Sequence, residues 1–168
     1  MPHILKKYIL LLAILIFSGL KLSAQTAEEY KQWADEAFEV GNYQTAWTYY
    51  SSAVKLDSAN LYLWYQMGLS AKEFYSYSKA YSCFKIVYES DKAKKYPLSL
   101  FYLAELSRNL SDYIMARVYY MLFLDDYSEV DKFKQKAEEQ LQNMDKIEKI
   151  ASDTTSVVVE HVPVPINS

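Results

Sequence analysis

A chain of 168 residues that is 51% hydrophobic and 23% charged is long enough for one modest domain and too apolar to stay disordered. Three glycines and four prolines against 17 tyrosines leave too few tight turns for an all-β fold and point to long helices with aromatic packing. The formal charge of −3 makes nucleic acid a poor partner, and the single cysteine, Cys83, can close no intramolecular disulfide.

Residues 1–24 read as a secretory signal. Lys6 and Lys7 form a basic start, residues 8–17 are an unbroken apolar run, and a small, polar stretch leads to Ala24 and Gln25. A membrane span needs roughly 20 apolar residues, and Ser18 and Gly19 interrupt this run early. The expectation is therefore cleavage after Ala24, with an uncleaved anchor as the alternative. Losing Lys6, Lys7 and Lys21 takes the formal charge of the mature chain to about −6.

The rest of the chain repeats. Ala46 and Ala80 are 34 residues apart, and Ala80 and Ala116 are 36, the extra two falling at Lys94-Lys95-Tyr96-Pro97. Each alanine has an aromatic three residues before it (Tyr43, Tyr77, Tyr113) and another four after it (Tyr50, Phe84, Tyr120). Upstream of each runs a second stripe at helical spacing: Tyr30, Trp33, Ala34, Ala37, then Trp64, Met67, Gly68, Ala71, then Leu100, Leu103, Ala104, Ser107. The spacing predicts three helix pairs over 27–60, 61–96 and 97–129, in which helix B carries the anchoring alanine. Ala34, Gly68 and Ala104 on helix A face those alanines and let the paired axes approach.

These residues resemble the tetratricopeptide repeat. Trp64, Met67-Gly68, Tyr77, Ala80 and Phe84 match its pattern best, Gly41-Asn42-Tyr43 is similar to its turn, and Leu56-Asp57-Ser58 to the close of a unit. Ser58 and Lys92 stand in place of the closing proline, and Ala34 and Ala104 in place of the glycine. The resemblance implies an all-α superhelix of three helix pairs. Residues 130–150, with Val130, Phe133, Ala137, Leu141 and Met144 on one side, are expected to add a C-terminal capping helix, because a last repeat needs a cover with one apolar and one soluble face. The repeat domain is thus expected over 25–150, with 151–168 an extended linker or the start of a following domain, since Pro163 and Pro165 forbid helix.

Catalytic constellations were not found. His3 lies in the signal and His161 in the tail, so the domain has no histidine for a Ser-His-Asp or Cys-His pair, no metal-ligand spacing, and only Gly41 and Gly68 where a phosphate loop needs more. Asp125-Asp126 and Glu138-Glu139 read as solvated charge. Cys83 precedes a core aromatic and is expected to be buried, a reactive thiol being the alternative. The expectation is a non-enzyme with no metal and no cofactor.

In the family that the repeats resemble, helix A lines a concave groove that binds other proteins. The resemblance places Lys31, Asp35, Phe38 and Glu39 there, then Tyr62, Tyr65, Leu69, Lys72 and Glu73, then Phe101, Glu105, Arg108 and Asn109. Aromatic rings and arginine among mixed charges suit a protein or peptide partner. For Phe38, Leu69 and Phe101 the alternative is packing against the next pair or the cap. The family's basic clamp on a terminal carboxylate is not matched, since Lys31 fits one place but Asp35, Gln66, Leu98 and Tyr102 hold the others.

The order of parts also resembles the front of a Gram-negative envelope family. A signal ending Ala-Gln, three degenerate repeats, a lysine- and glutamate-rich helix and the tail Val-Pro-Val-Pro-Ile-Asn-Ser are similar to proteins that continue into a β-propeller and an OmpA-like peptidoglycan-binding domain, some within the type IX secretion and gliding apparatus. That implies a periplasmic, outer-membrane-associated scaffold docking a subunit of an envelope complex, with peptidoglycan reached only through a downstream domain. A free-standing periplasmic chaperone holding client peptides, and an accessory domain of an envelope enzyme, are the alternatives.

Overall fold

The computed structural model describes residues 25–154, and every regular element among them is an α-helix. The helices are α1 (Ala27–Glu39), α2 (Tyr43–Leu56), α3 (Leu61–Glu73), α4 (Tyr77–Asp91), α5 (Leu98–Asn109), α6 (Tyr113–Asp126) and α7 (Lys132–Thr154). Each packs chiefly on its sequence neighbours, from α1 on α2 to α6 on α7, which is the one-dimensional stacking of a helical repeat. No helix among the described residues is long and apolar enough to cross a membrane.

Local chemistry starts and stops these helices. Thr26 opens α1 with a capping box, its hydroxyl accepting from Glu29 N at 3.2 Å while Glu29 accepts from Thr26 N at 2.8 Å. Asn42, Asn60 and Asp112 cap α2, α3 and α6 in the same spirit, each side-chain oxygen taking a first-turn N–H. Inside every pair the chain reverses through one repeated device. Asn42 N donates to Ala37 O, Ser76 N to Ala71 O and Asp112 N to Ser107 O, at 2.8, 2.9 and 2.8 Å. The residue before each donor, Gly41, Tyr75 and Ser111, is left-handed with φ of 77°, 61° and 64°. This is a Schellman closure, and only the first unit fills it with the residue that carries no Cβ penalty.

The helices of a pair meet at small residues. Ala34, Ala46, Ala80, Ala104 and Ala116 are all fully buried, and a Cβ on Gly68 would lie 3.1 Å from the Phe84 ring. Two core clusters result. One joins the first two units through Tyr50, Leu63, Met67 and Cys83, and the other joins the second and third units to α7 through Phe84, Leu103, Phe123 and Ala137. The two extra residues of the third period lie in the six-residue connection 92–97, where Lys92 and Ala93 are left-handed and the Asp91 carboxylate accepts from Ala93 N and Lys95 N.

The capping helix differs from its expected extent at both ends. It starts at Lys132, because the Asp131 carboxylate accepts from Phe133 N at 2.9 Å and Lys134 N at 3.1 Å and so acts as a cap; Val130 stays outside, 83% exposed. It runs to Thr154, four residues past the boundary placed at 150, since Ala151-Ser152-Asp153-Thr154 contains neither glycine nor proline to stop it. The rest of the expected stripe packs as read, with Ala137 fully buried and Phe133, Leu141 and Met144 against the core. Residues 1–24 and 155–168, to which the signal and the tail were assigned, lie outside the described residues.

Ser111→Gly removes a left-handed Cβ from the third turn and is expected to stabilise the fold by about 0.5–1 kcal/mol, while Gly41→Ala destabilises it by a similar amount. Thermal melting should register the pair as shifts of opposite sign, each of about 3 °C.

Candidate functional site

The concave face is built by α1, α3 and α5 and closed at its end by α7. Two carboxylates on it, Asp35 and Glu105, occupy the same register position, and both are held by the fold. Asp35 accepts hydrogen bonds from the Tyr50 hydroxyl on α2, from the Tyr62 hydroxyl on α3 at 3.1 Å and from Lys31 at 3.0 Å. Glu105 accepts from the Tyr120 hydroxyl on α6 and from Lys136 on α7 at 2.5 Å, with Arg108 at 3.7 Å. In both units the acid on helix A bonds the tyrosine fifteen residues on, then a side chain of the next helix. The middle unit has Leu69 and Phe84 at those positions, so an apolar contact takes the place of the polar one.

These bonds settle where several nominated residues stand. Lys31, Asp35 and Tyr62 form one closed network, Lys31 also lying 5.3 Å from the Tyr62 ring centre. Phe38 is half-buried against Tyr43, their rings 5.2 Å apart. Tyr65 stacks on Tyr96 at 4.7 Å and meets Phe84 edge-on at 5.5 Å, and Leu69 packs on the same core. Phe101 is only 3% exposed, wedged among Tyr102, Tyr120, Phe123 and Phe133. Helix α7 brings Phe133 to within 5.2 Å of it, so Phe101 packs against the cap and keeps only a small edge on the concave side.

Five of the nominated residues do come together. Lys72, Glu73, Phe101, Glu105 and Asn109 line a cleft of about 430 Å³ between the second unit, the third unit and α7. Phe101 forms its floor. Lys72 and Glu73 pair with each other, and Lys72 also lies 5.8 Å from the Tyr102 ring centre. The cleft is completed by residues that the repeat pattern does not single out as ligand contacts: Tyr75, Tyr77, Tyr102, Leu106, Lys132, Phe133 and Lys136. Tyr75 is the most open of the aromatics, 78% exposed on the left-handed turn. An exposed aromatic in a turn that is otherwise Gly or Ser was the available signal. The result is a mainly polar cleft with aromatic rings at its base and three lysines and two carboxylates at its edge.

Reactive groups are quiet by comparison. Cys83 is buried and burial pushes its thiol up to about 12, which removes the thiolate needed for chemistry near neutral pH. Among the described residues no cluster of three potential ligands could hold a metal ion.

Burial, and then the bonds to Asp35 and Glu105, push the Tyr50 and Tyr120 phenols above their ordinary value near 10. A phenol that ionises at about pH 10 when unfolded but stays protonated when folded contributes stability that is complete below pH 10 and is lost as the pH rises towards its folded value. Urea midpoints should therefore hold steady from neutral to about pH 10 and fall above it. Tyr50→Phe with Tyr120→Phe is expected to lower stability by about 1 kcal/mol per lost bond at neutral pH and to make the alkaline fall shallower.

The sequence matches no protein-family model and no curated protein. Solved structures match by shape. The TPR domain of Arabidopsis OM64 aligns with a TM-score of 0.63 at 18% identity, over 71% of this chain and 96% of that one. The first TPR of Spaghetti (RPAP3), bound to the HSP90 peptide SRMEEVD, gives 0.61 at 16% identity over 74% and 94%. The type III secretion translocator chaperone SycD of Yersinia enterocolitica gives 0.58 at 17% identity over 70% and 88%. At these identities the likeness is one of fold, and the fold is the α-α superhelix of tetratricopeptide-repeat domains.

Proposed function

We propose that this protein is a non-catalytic, exported adaptor that holds an extended segment of a partner protein in the cleft between α3, α5 and α7. The observation that carries the reading is the cleft itself, an aromatic floor of Phe101, Tyr102 and Phe133 rimmed by Lys72, Lys132 and Lys136. Solved structures of similar shape support a peptide occupant, one being a TPR domain bound to an HSP90 peptide and another a secretion translocator chaperone. The cleft differs from the long groove implied by the repeat pattern, because the first unit's polar residues are tied into the Asp35 network. The signal-like residues 1–24 support export, and the tail motif supports a scaffold of the cell envelope.

A displayed peptide library selected on the wild-type chain is expected to yield binders whose affinity drops about tenfold with Tyr75→Ala, Asn109→Ala and Lys132→Glu combined. All three residues are exposed, so helical circular dichroism should persist. Unchanged affinity would reject the cleft. Expressed with its own N-terminus in a Gram-negative host, the chain is expected in the periplasmic fraction, beginning near Gln25 by terminal sequencing; an uncleaved cytoplasmic product overturns the exported half of the reading.

A further inference from the structure

The convex side of the third unit departs from the other two. Register carries Gln44, Thr48, Ser51 and Ser52 of α2 onto Ser78, Ser82, Lys85 and Ile86 of α4, and then onto Ile114, Val118, Met121 and Leu122 of α6. Positions that are polar in the first unit and mostly polar in the second become a wholly apolar stripe along one helix face. The four side chains keep 79%, 41%, 57% and 38% of their surface exposed, and neither core cluster includes them.

Helix α7 supplies a second wall. Tyr113, Ile114 and Val118 line, with Met144 and Ile147, an apolar groove of about 630 Å³, and Arg117 joins the two walls through Asp145 at 2.5 Å and Glu148 at 3.0 Å. A contiguous apolar face of this kind, present in one unit and designed out of its neighbours, marks a contact surface.

We propose that the groove is covered in cis by the valine-rich stretch of residues 157–164. Reach supports this occupant. Helix α7 runs on past Ile147 to Thr154, about 10 Å of rise. Five residues, 155–159, can span up to ~16 Å at ~3.3 Å each, more than that distance, so the stretch beginning at Val157 is long enough to reach the groove. Chemistry supports it as well, since Val157, Val158, Val159, Val162 and Val164 are β-branched and Pro163 removes a donor, which favours extended chain with apolar side chains. The short tether holds the stretch at an effective concentration of order millimolar, so a contact too weak to join two separate molecules is still populated. This proposal is independent of the cleft on the concave side.

Disulfide trapping in the full chain tests it. Val118→Cys is combined in turn with Val157→Cys, Val158→Cys and Val159→Cys, and Ser82→Cys, the same register position on α4, replaces Val118→Cys in the controls. Cys83 does not compete, being buried. At least one α6 pair is expected to form an intrachain disulfide about tenfold faster than its α4 control, in monomeric protein. Equal trapping on both helices, no trapping, or a disulfide joining two chains overturns the proposal, the last in favour of a second copy. A second measurement leaves the tail unaltered: Ile114→Asp with Val118→Asp should raise elastase cleavage within residues 157–162 about tenfold while helix content holds, and an unchanged rate overturns it.

Discussion

Close approach of the two helices in each pair is the constraint on which the rest depends. Ala34, Ala46, Ala80, Ala104 and Ala116 keep no exposed surface, and a Cβ on Gly68 would meet the Phe84 ring at 3.1 Å and Cys83 at 3.2 Å. The space beside that contact is filled by rings. Tyr50, Phe84 and Tyr120 fill it, one per unit, and each is fully buried or nearly so. Their distance from the alanine fixes which helix A side chain they meet, and that choice decides how polar the concave face can be.

Two of the three rings carry a hydroxyl, and a buried hydroxyl requires a partner. Asp35 and Glu105 meet that need, and each then draws in a cation and a side chain from the following helix. The carboxylates therefore join adjacent elements across the concave face. The middle unit uses Leu69 and Phe84 and makes no such demand, which leaves Lys72 and Glu73 one turn further on to pair with each other at the cleft.

The helix pairs were legible because the signal repeats: a small residue and two rings at constant spacing, three times over, are visible without knowing any contact. The turns were legible at Gly41 and opaque at Tyr75 and Ser111, where the same left-handed geometry is imposed by the Schellman bonds on residues that do not advertise it. Groove-facing positions were the weakest reading. Helix periodicity says which side of α5 faces inward, but whether Phe101 meets solvent or Phe133 depends on where α7 docks, and that follows from tertiary packing and the Asp131 cap. The direction of the Tyr62 ring is likewise set by a carboxylate in a different unit.

The turn at Tyr75 joins two requirements in one residue. Its backbone strain aims a phenol ring into the mouth of the cleft, in a place where the other units have glycine or serine. A glycine there would relax the chain and blunt the cleft at once, so selection for a more durable protein and selection for a better grip pull this position in opposite directions.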